Sequence, residues 1–347
     1  MIRFTWLQFR VQARVAVAAL LAFAVVLMVT GPHLAGMYAG SGITACHGGA
    51  CEAAAGRFLS RLAITGPYPI VYELGIGLIL AVPAIVGIFW GAPLIARELE
   101  NRTFALAWTQ SITRTRWILV KLALTGLAAV AVTETLSLIY SWWAEPISKA
   151  ISLQGPYPVA SEFGGGRLSL VIFASHGITP LGYAAFGFAL GTATGALIRR
   201  PVPAMAVTLA IFAAAQIAMP LRIRPHLIPP ARTIASGPSF VQSAGVNLGN
   251  LTATVVPGQP GAWIISSGAI NAAGQPVTTV PAPCIPPPPA KPPDPGHCMD
   301  SRGIREAITY QPASRYWPFQ WIETGIFLAL ALVLAAFCFW RLGRRRT

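Results

Sequence analysis

Charge is scarce in this chain, and negative charge most of all: 11 Asp plus Glu stand among 347 residues, and charged residues of both signs reach only 10%. Hydrophobic residues make up 54%, with a mean hydropathy of +0.60. That balance excludes a water-soluble globule and reads as a membrane protein. No GxxxxGK[ST] phosphate loop occurs, so nucleotide hydrolysis of that type is not expected of this chain. Cysteine is sparse, at 5, and its spacing matches no standard zinc pattern. No nucleophile stands with a base at supporting spacing. Ser175 neighbours His176, but adjacent residues on a helix point about 100° apart, so an intramembrane enzyme is not expected. The 25 Lys plus Arg give a net charge of +14, yet no soluble basic domain exists to grip a phosphate backbone. The charge therefore reads as topology and attraction to anionic lipid, with no nucleic-acid partner.

What the chain has instead is length in its apolar runs. Crossing a ~30 Å hydrocarbon core takes ~20 apolar residues in a helix, and six stretches qualify: 14–31, 70–96, 116–143, 168–198, 203–220 and 319–341. Lipid offers no partner to unpaired backbone groups, so helices are required. The expected fold is an all-α polytopic membrane protein of six transmembrane helices. The lead 1–13 alternates aromatic or aliphatic residues with Arg and Gln, as an interfacial helix feeding the first span would. No cleavage site follows the first run, so a signal peptide is not expected. With both termini inside, 14 of the 25 Lys plus Arg fall on the inner side, at Arg3, Arg10, Arg14, Arg97, Arg102, Arg114, Arg116, Lys121, Arg199, Arg200, Arg341, Arg344, Arg345 and Arg346, in or beside the loop 97–115, the turn 199–202 and the tail 342–347. The prediction is an N-in, C-in, multi-pass protein of the cell membrane.

Three segments lie outside, at 32–69, 144–167 and 221–318. The third has β-leaning runs, TATVV at 252–256 and AWIIS at 262–266, then PAPCIPPPPAKPPDPGHC, which neither pairs in a sheet centre nor forms a helix. A small irregular β cap between spans 5 and 6 is expected. Cys46, Cys51, Cys284 and Cys298 fall in these outer loops, where disulfides are the expectation. Spacing suggests Cys46 with Cys51 and Cys284 with Cys298, with pairing between loops left open. A Cys/His metal cluster through His47 and His297 is the weaker alternative. Cys338, in the last span, reads as a small apolar filler.

Inside the spans, Gly187, Gly191 and Gly195 recur at steps of four, and Gly87 and Gly91 match them in the second span. These stripes predict close helix packing, within the bundle or across a dimer. Pro83, and Gly177 with Pro180, predict kinks or a broken outer half-helix in span 4. Glu134 and His176 fall at similar depth, where a mutual pair or a proton relay is conceivable. Glu323 and Glu73 fall near the outer interface, where water reaches them and anchoring is expected. Trp317 and Trp321 suit an aromatic belt.

The loop GAPLIARELENRTFALAWTQSITRTRW, residues 91–117, is strongly polar between two apolar runs. Residues 97–110 predict a helix with Leu99, Thr103 and Leu106 on one stripe, reinforced by Phe104 and Trp108. Arg97, Glu98, Glu100 and Arg102 project elsewhere. Trp117 and Lys121 are expected to anchor and snorkel at the mouth of the third span.

Those residues carry a resemblance. The segment is similar to one in type-2 ABC exporter permeases, where a span runs into G-x-P-x-x-A-R/K-E-x-E-x-x-T, a helix, and a Ser/Thr-Arg-x-Arg step. Here the positions are Gly91, Pro93, Ala96, Arg97, Glu98, Glu100, Thr103, Thr113, Arg114, Arg116 and Lys121. The approach to the last span, YQPASRYWPFQWIETG at 310–325, also resembles the family. The resemblance implies that Arg97, Glu98, Glu100, Arg102, Thr103, Phe104 and Trp108 couple the spans to a soluble ABC ATPase. It further implies two ATPase copies holding ATP and magnesium, a second permease subunit as homo- or heterodimer, and amphipathic cargo such as antibiotics, peptides or lipids. The chain itself would carry no cofactor and no metal, and would not be an enzyme. The runner-up is a proton-coupled secondary transporter using Glu134 and His176.

Overall fold

The computed structural model describes residues 2–100, 114–153, 163, 166–236, 244–247, 250–253, 261–277 and 300–343. Six helices in it are long and apolar enough to cross a membrane: Phe9–Ala39, Tyr68–Glu98, Ile118–Ser152, Thr179–Ile198, Pro201–Leu227 and Ala313–Arg341. They coincide with the six apolar runs, and most are longer than those runs.

Helix α1 is Ile2–Ala39. Its residues 2–30 contain neither Gly nor Pro, so nothing interrupts the turn-by-turn hydrogen bonding, and the polar lead continues into the first span without a break. A short 3₁₀ turn at Ile43–Ala45 and helix α2, Gly49–Ile64, follow. The expected Cys46–Cys51 disulfide staples the start of α2, with Cα atoms 5.1 Å apart. Helix α2 buries Phe58, Leu59 and Leu62 in a core shared with Tyr72, Tyr140 and Trp143. Two polar contacts lock that core: the Tyr140 hydroxyl donates to Tyr72 O at 2.8 Å, and Trp143 Nε1 donates to Thr30 Oγ1 at 2.9 Å. The segment 32–69, read from sequence as a loop, is thus largely helical because it has an apolar face to bury.

The second span is helix α3, Tyr68–Ile85, a π-helical turn at Val86–Gly91 just beyond Pro83, and helix α4, Ala92–Glu100. The third is helix α5, Arg114–Ser152. The fourth is divided into α6, Leu170–Ser175, and α7, Thr179–Ile198. The fifth runs through α8, Pro201–Ala218, a second π turn at Met219–Ile223, and α9, Arg224–Leu227. Helix α10, Tyr316–Gly343, is the sixth.

Helix α7 lies at the centre, with nearly every residue buried. Its glycine stripe meets that of the second span inside the bundle. A Cβ on Gly87 would sit 2.6 Å from Gly187 O, and one on Gly187 would sit 2.6 Å from Pro83 O. The two backbones touch, which only glycine allows, and close approach supplies the dispersion contact that replaces a hydrophobic drive in lipid.

Five strands lie at one end: β1 Ala231–Ala235, β2 Ala244–Asn247, β3 Asn250–Ala253, β4 Trp263–Ile270 and β5 Arg305–Gln311. Strands β1, β5 and β4 form an antiparallel sheet in that order, with Ile308 of β5 opposite Thr233 and Ser267, while β2 and β3 pair as a hairpin. The β cap is therefore as expected, and the AWIIS run falls largely in β4. The Pro-rich stretch, with Cys284 and Cys298, lies outside the described residues. The sheet is tied to the ends of spans 5 and 6. Gln311 Nε2 donates to Ile228 O at 2.7 Å, and Arg315 Nη1 donates to Pro229 O and to Gln311 Oε1, each at 2.6 Å.

Candidate functional site

At the end opposite the sheet, α4 prolongs the second span into the polar segment. Arg97 and Glu100 are exposed on it. Glu98 is not free to project as expected: its Oε1 binds Lys121 Nζ of α5, with the side chains 13% and 3% exposed. Lys121 accordingly turns inward instead of snorkelling, because a carboxylate within reach offsets the desolvation of a buried ammonium. One level deeper, Thr125 Oγ1 donates to Lys121 O at 2.6 Å. On the other side of α4, Phe9 of α1 meets Trp90 edge to face at 4.7 Å, and Gln12 Nε2 reaches Phe89 O at 3.4 Å. The base of α4 is thus held from two sides, by α1 and by α5. Arg102, Thr103, Phe104 and Trp108 lie outside the described residues.

At the sheet-bearing end the fourth span breaks as its Gly and Pro predict. His176 is extended and Gly177 has φ +72°, a left-handed conformation that suits glycine. A Cβ there would also meet Gln320 Oε1 at 2.7 Å. A break in lipid orphans backbone groups on both sides, and one side chain, Gln320, bonds four of them. Gln320 Oε1 accepts from Ile178 N at 2.9 Å and Thr179 N at 3.0 Å, while its Nε2 donates to Phe173 O at 3.2 Å and His176 O at 3.0 Å. Gln320 drew no attention in the sequence, where one amide near a span boundary carries no distinguishing pattern.

One turn further along α10 is Glu323. The expectation that water reaches it is wrong: it is 0% exposed, as is Arg224. Arg224 Nε donates to Glu323 Oε2 at 2.8 Å and Nη2 donates to Oε1 at 3.0 Å, a bidentate pair. The Tyr183 hydroxyl also donates to Oε1, Arg224 Nη1 reaches Leu170 O at 3.4 Å, and the guanidinium lies 4.1 Å from the Phe173 ring centroid. The fifth span does not stop at residue 220. Its π turn and α9 carry Arg224 back into the bundle, so a residue assigned by sequence to the outer segment is intramembrane. The signal available was two arginines, Arg222 and Arg224, just past span 5 and one Glu just inside span 6, the complementary charges that a buried pair needs.

The suggested Glu134–His176 pair does not form. His176 Nδ1 is 2.9 Å from Ile172 O and 3.0 Å from Ser175 Oγ. Ser175 and His176 do therefore face each other, since the helix ends between them. A carbonyl only accepts, so Nδ1 carries the proton and cannot take one from the hydroxyl, which itself donates to Ile172 O at 3.0 Å. This is helix-end capping, not a nucleophile and base. Among the described residues, His176 Nε2 and Glu134 Oε2 are buried without a hydrogen-bond partner. Nearby, Ser137 Oγ donates to Gly177 O at 3.2 Å, and the Tyr140 and His176 rings lie 5.2 Å apart. Trp142, Trp317 and Trp321 are exposed at this end, as a belt requires.

Six spanning helices with a discontinuous central one, a polar helix continuing the second span and buried charges between spans define a multi-pass membrane protein of the transporter-permease class. The family match agrees: residues 17–224, more than half of the chain, match the model of the family described as ABC-2 membrane transporter related, and the chain belongs to that family. Comparison with curated proteins, and with solved structures, finds no match.

Proposed function

We propose that the chain is the membrane subunit of an ATP-driven exporter of amphipathic compounds such as antibiotics, peptides or lipids. It works beside a second permease subunit and two copies of a soluble ABC ATPase that carry ATP and magnesium. It sits N-in and C-in in a bacterial plasma membrane, with the sheet outside. One observation carries this reading. Helix α4 leaves the second span without interruption, shows Arg97 and Glu100 to solvent, and is braced to the third span by Glu98 and Lys121. A helix held that way transmits a push as a rigid body, and its exposed charges set docking register. The test is co-purification of the ATPase with Arg97→Glu and Glu100→Arg variants. Retention falls if α4 docks, and unchanged retention overturns the assignment. Cysteine labelling at Glu100 and at Asn271 tests the orientation, with Glu100 reactive only from the cytoplasm.

The second reading, proton-coupled transport through Glu134 and His176, draws on their unpartnered buried atoms. It requires that Glu134→Gln abolish transport driven by a pH gradient in vesicles that contain no ATPase.

A further inference from the structure

Two cavities adjoin at the base of α4. The first, about 250 Å³, is lined by Gln12, Arg97, Glu98 and Thr125 among others. The second, about 420 Å³, is an apolar groove between α1, α3 and α5, with Val15, Ala19, Val82 and Leu136 in its walls. Gln12 and Trp90 line both, so one continues into the other. From Val11 to Leu20 on α1 the groove runs ~14 Å at ~1.5 Å per residue, close to the ~15 Å of hydrocarbon in one leaflet. Its walls belong to spanning helices, so acyl chains reach it and water-soluble partners do not.

The charge at the mouth identifies the head. Glu98 is neutralised by Lys121, which leaves the exposed Arg97 guanidinium as the net charge of the lining. Among the described residues no side-chain acceptor bonds to Arg97, and a planar five-donor guanidinium suits a phosphate diester.

We infer that this paired cavity and groove is a binding site for an anionic glycerophospholipid, its phosphate on Arg97 and one acyl chain along the face of α1 between Gln12 and Leu20. A lipid seated there fills the gap between the N-terminal helix and the second span and so stiffens the base of α4. The site does not depend on α4 docking an ATPase.

The test is native mass spectrometry of the purified full-length chain in detergent with equimolar dipalmitoyl phosphatidylglycerol and phosphatidylcholine. The chain is expected to retain the anionic lipid about fivefold better, the effect of one well-placed basic residue. Arg97→Gln, at an exposed position, brings the two lipids to parity. Ala19→Phe fills the groove and lowers retention of both, while Val29→Phe, exposed on α1 outside the groove, leaves retention unchanged. Equal retention of the two lipids by the unmodified chain, an unchanged ratio in Arg97→Gln, or no loss in Ala19→Phe would each overturn the site. Competition by glycerophosphoglycerol without acyl chains would reduce it to a headgroup pocket and overturn the groove.

Discussion

Each end of the bundle buries one ion pair, and the two pairs differ in kind. At the end opposite the sheet, Lys121 meets Glu98 across 23 residues of chain through one carboxylate oxygen, while Oε2 has no hydrogen-bond partner. At the sheet-bearing end, Arg224 and Glu323, 99 residues apart, share two hydrogen bonds, a Tyr183 hydroxyl and a Phe173 face, all without exposure. The first pair joins the second and third spans on α4 and keeps some contact with solvent. The second ties spans 5 and 6 to both halves of the broken span 4, directly below the sheet. The comparison teaches how the two ends are tied: the sheet-bearing end by a bidentate pair with a tyrosine and an aromatic face around it, the α4 end by a single carboxylate oxygen on Lys121 together with the close packing of Ala92, Ile95 and Ala96.

The comparison can be broken most forcefully at the clamp. Glu323→Gln leaves Arg224 uncompensated in a buried site and is expected to cost about 3–5 kcal/mol, read as a large drop in the thermal midpoint of the detergent-solubilised chain. Arg224→Leu combined with Glu323→Leu should recover much of that loss, because no charge is then stranded. If the double variant is as unstable as the single, the clamp is not primarily electrostatic. Next in size is the seam that joins the ends. Gly187→Leu would press a side chain onto Pro83 O and cost about 1–3 kcal/mol or more as the second span and α7 are forced apart, measured by the same melting. At the other pair, Lys121→Met should cost only about 1–2 kcal/mol, since water can reach part of the stranded Glu98, yet it should lower ATPase association more than it lowers stability. Loss of stability without loss of association would remove α4 from the proposed coupling. The smallest effect is expected at Glu134→Gln, within about 0.5 kcal/mol, because among the described residues its Oε2 has no hydrogen bond to lose. A destabilisation above this would reveal a contact that the static structure lacks.

The polar contacts between spans were less legible in the sequence than the spans. Gly177 and Pro180 announced the break in span 4 because φ > 0 and a missing N–H are local properties of single residues. The glycine stripes announced a packing face, though not whether it faced inward. Glu323 was misjudged because distance from a span end measures depth along one helix, while burial depends on what the neighbouring helices cover. Glu134 and His176 were matched by depth alone, and depth says nothing about azimuth. Glu98 drew notice as an exposed charge, and only its partner one span away turned it inward.

The sequence by itself determined that this chain is a six-span membrane protein with a polar segment after the second span, since apolar length, Gly and Pro act through the local backbone and the lipid around it. Only the tertiary structure decided which charges are paired, that Gln320 seals the broken span, and that the fifth span reaches Arg224. Those outcomes depend on groups far apart in the chain meeting in a medium where an unpaired charge is costly, and no local pattern encodes that meeting.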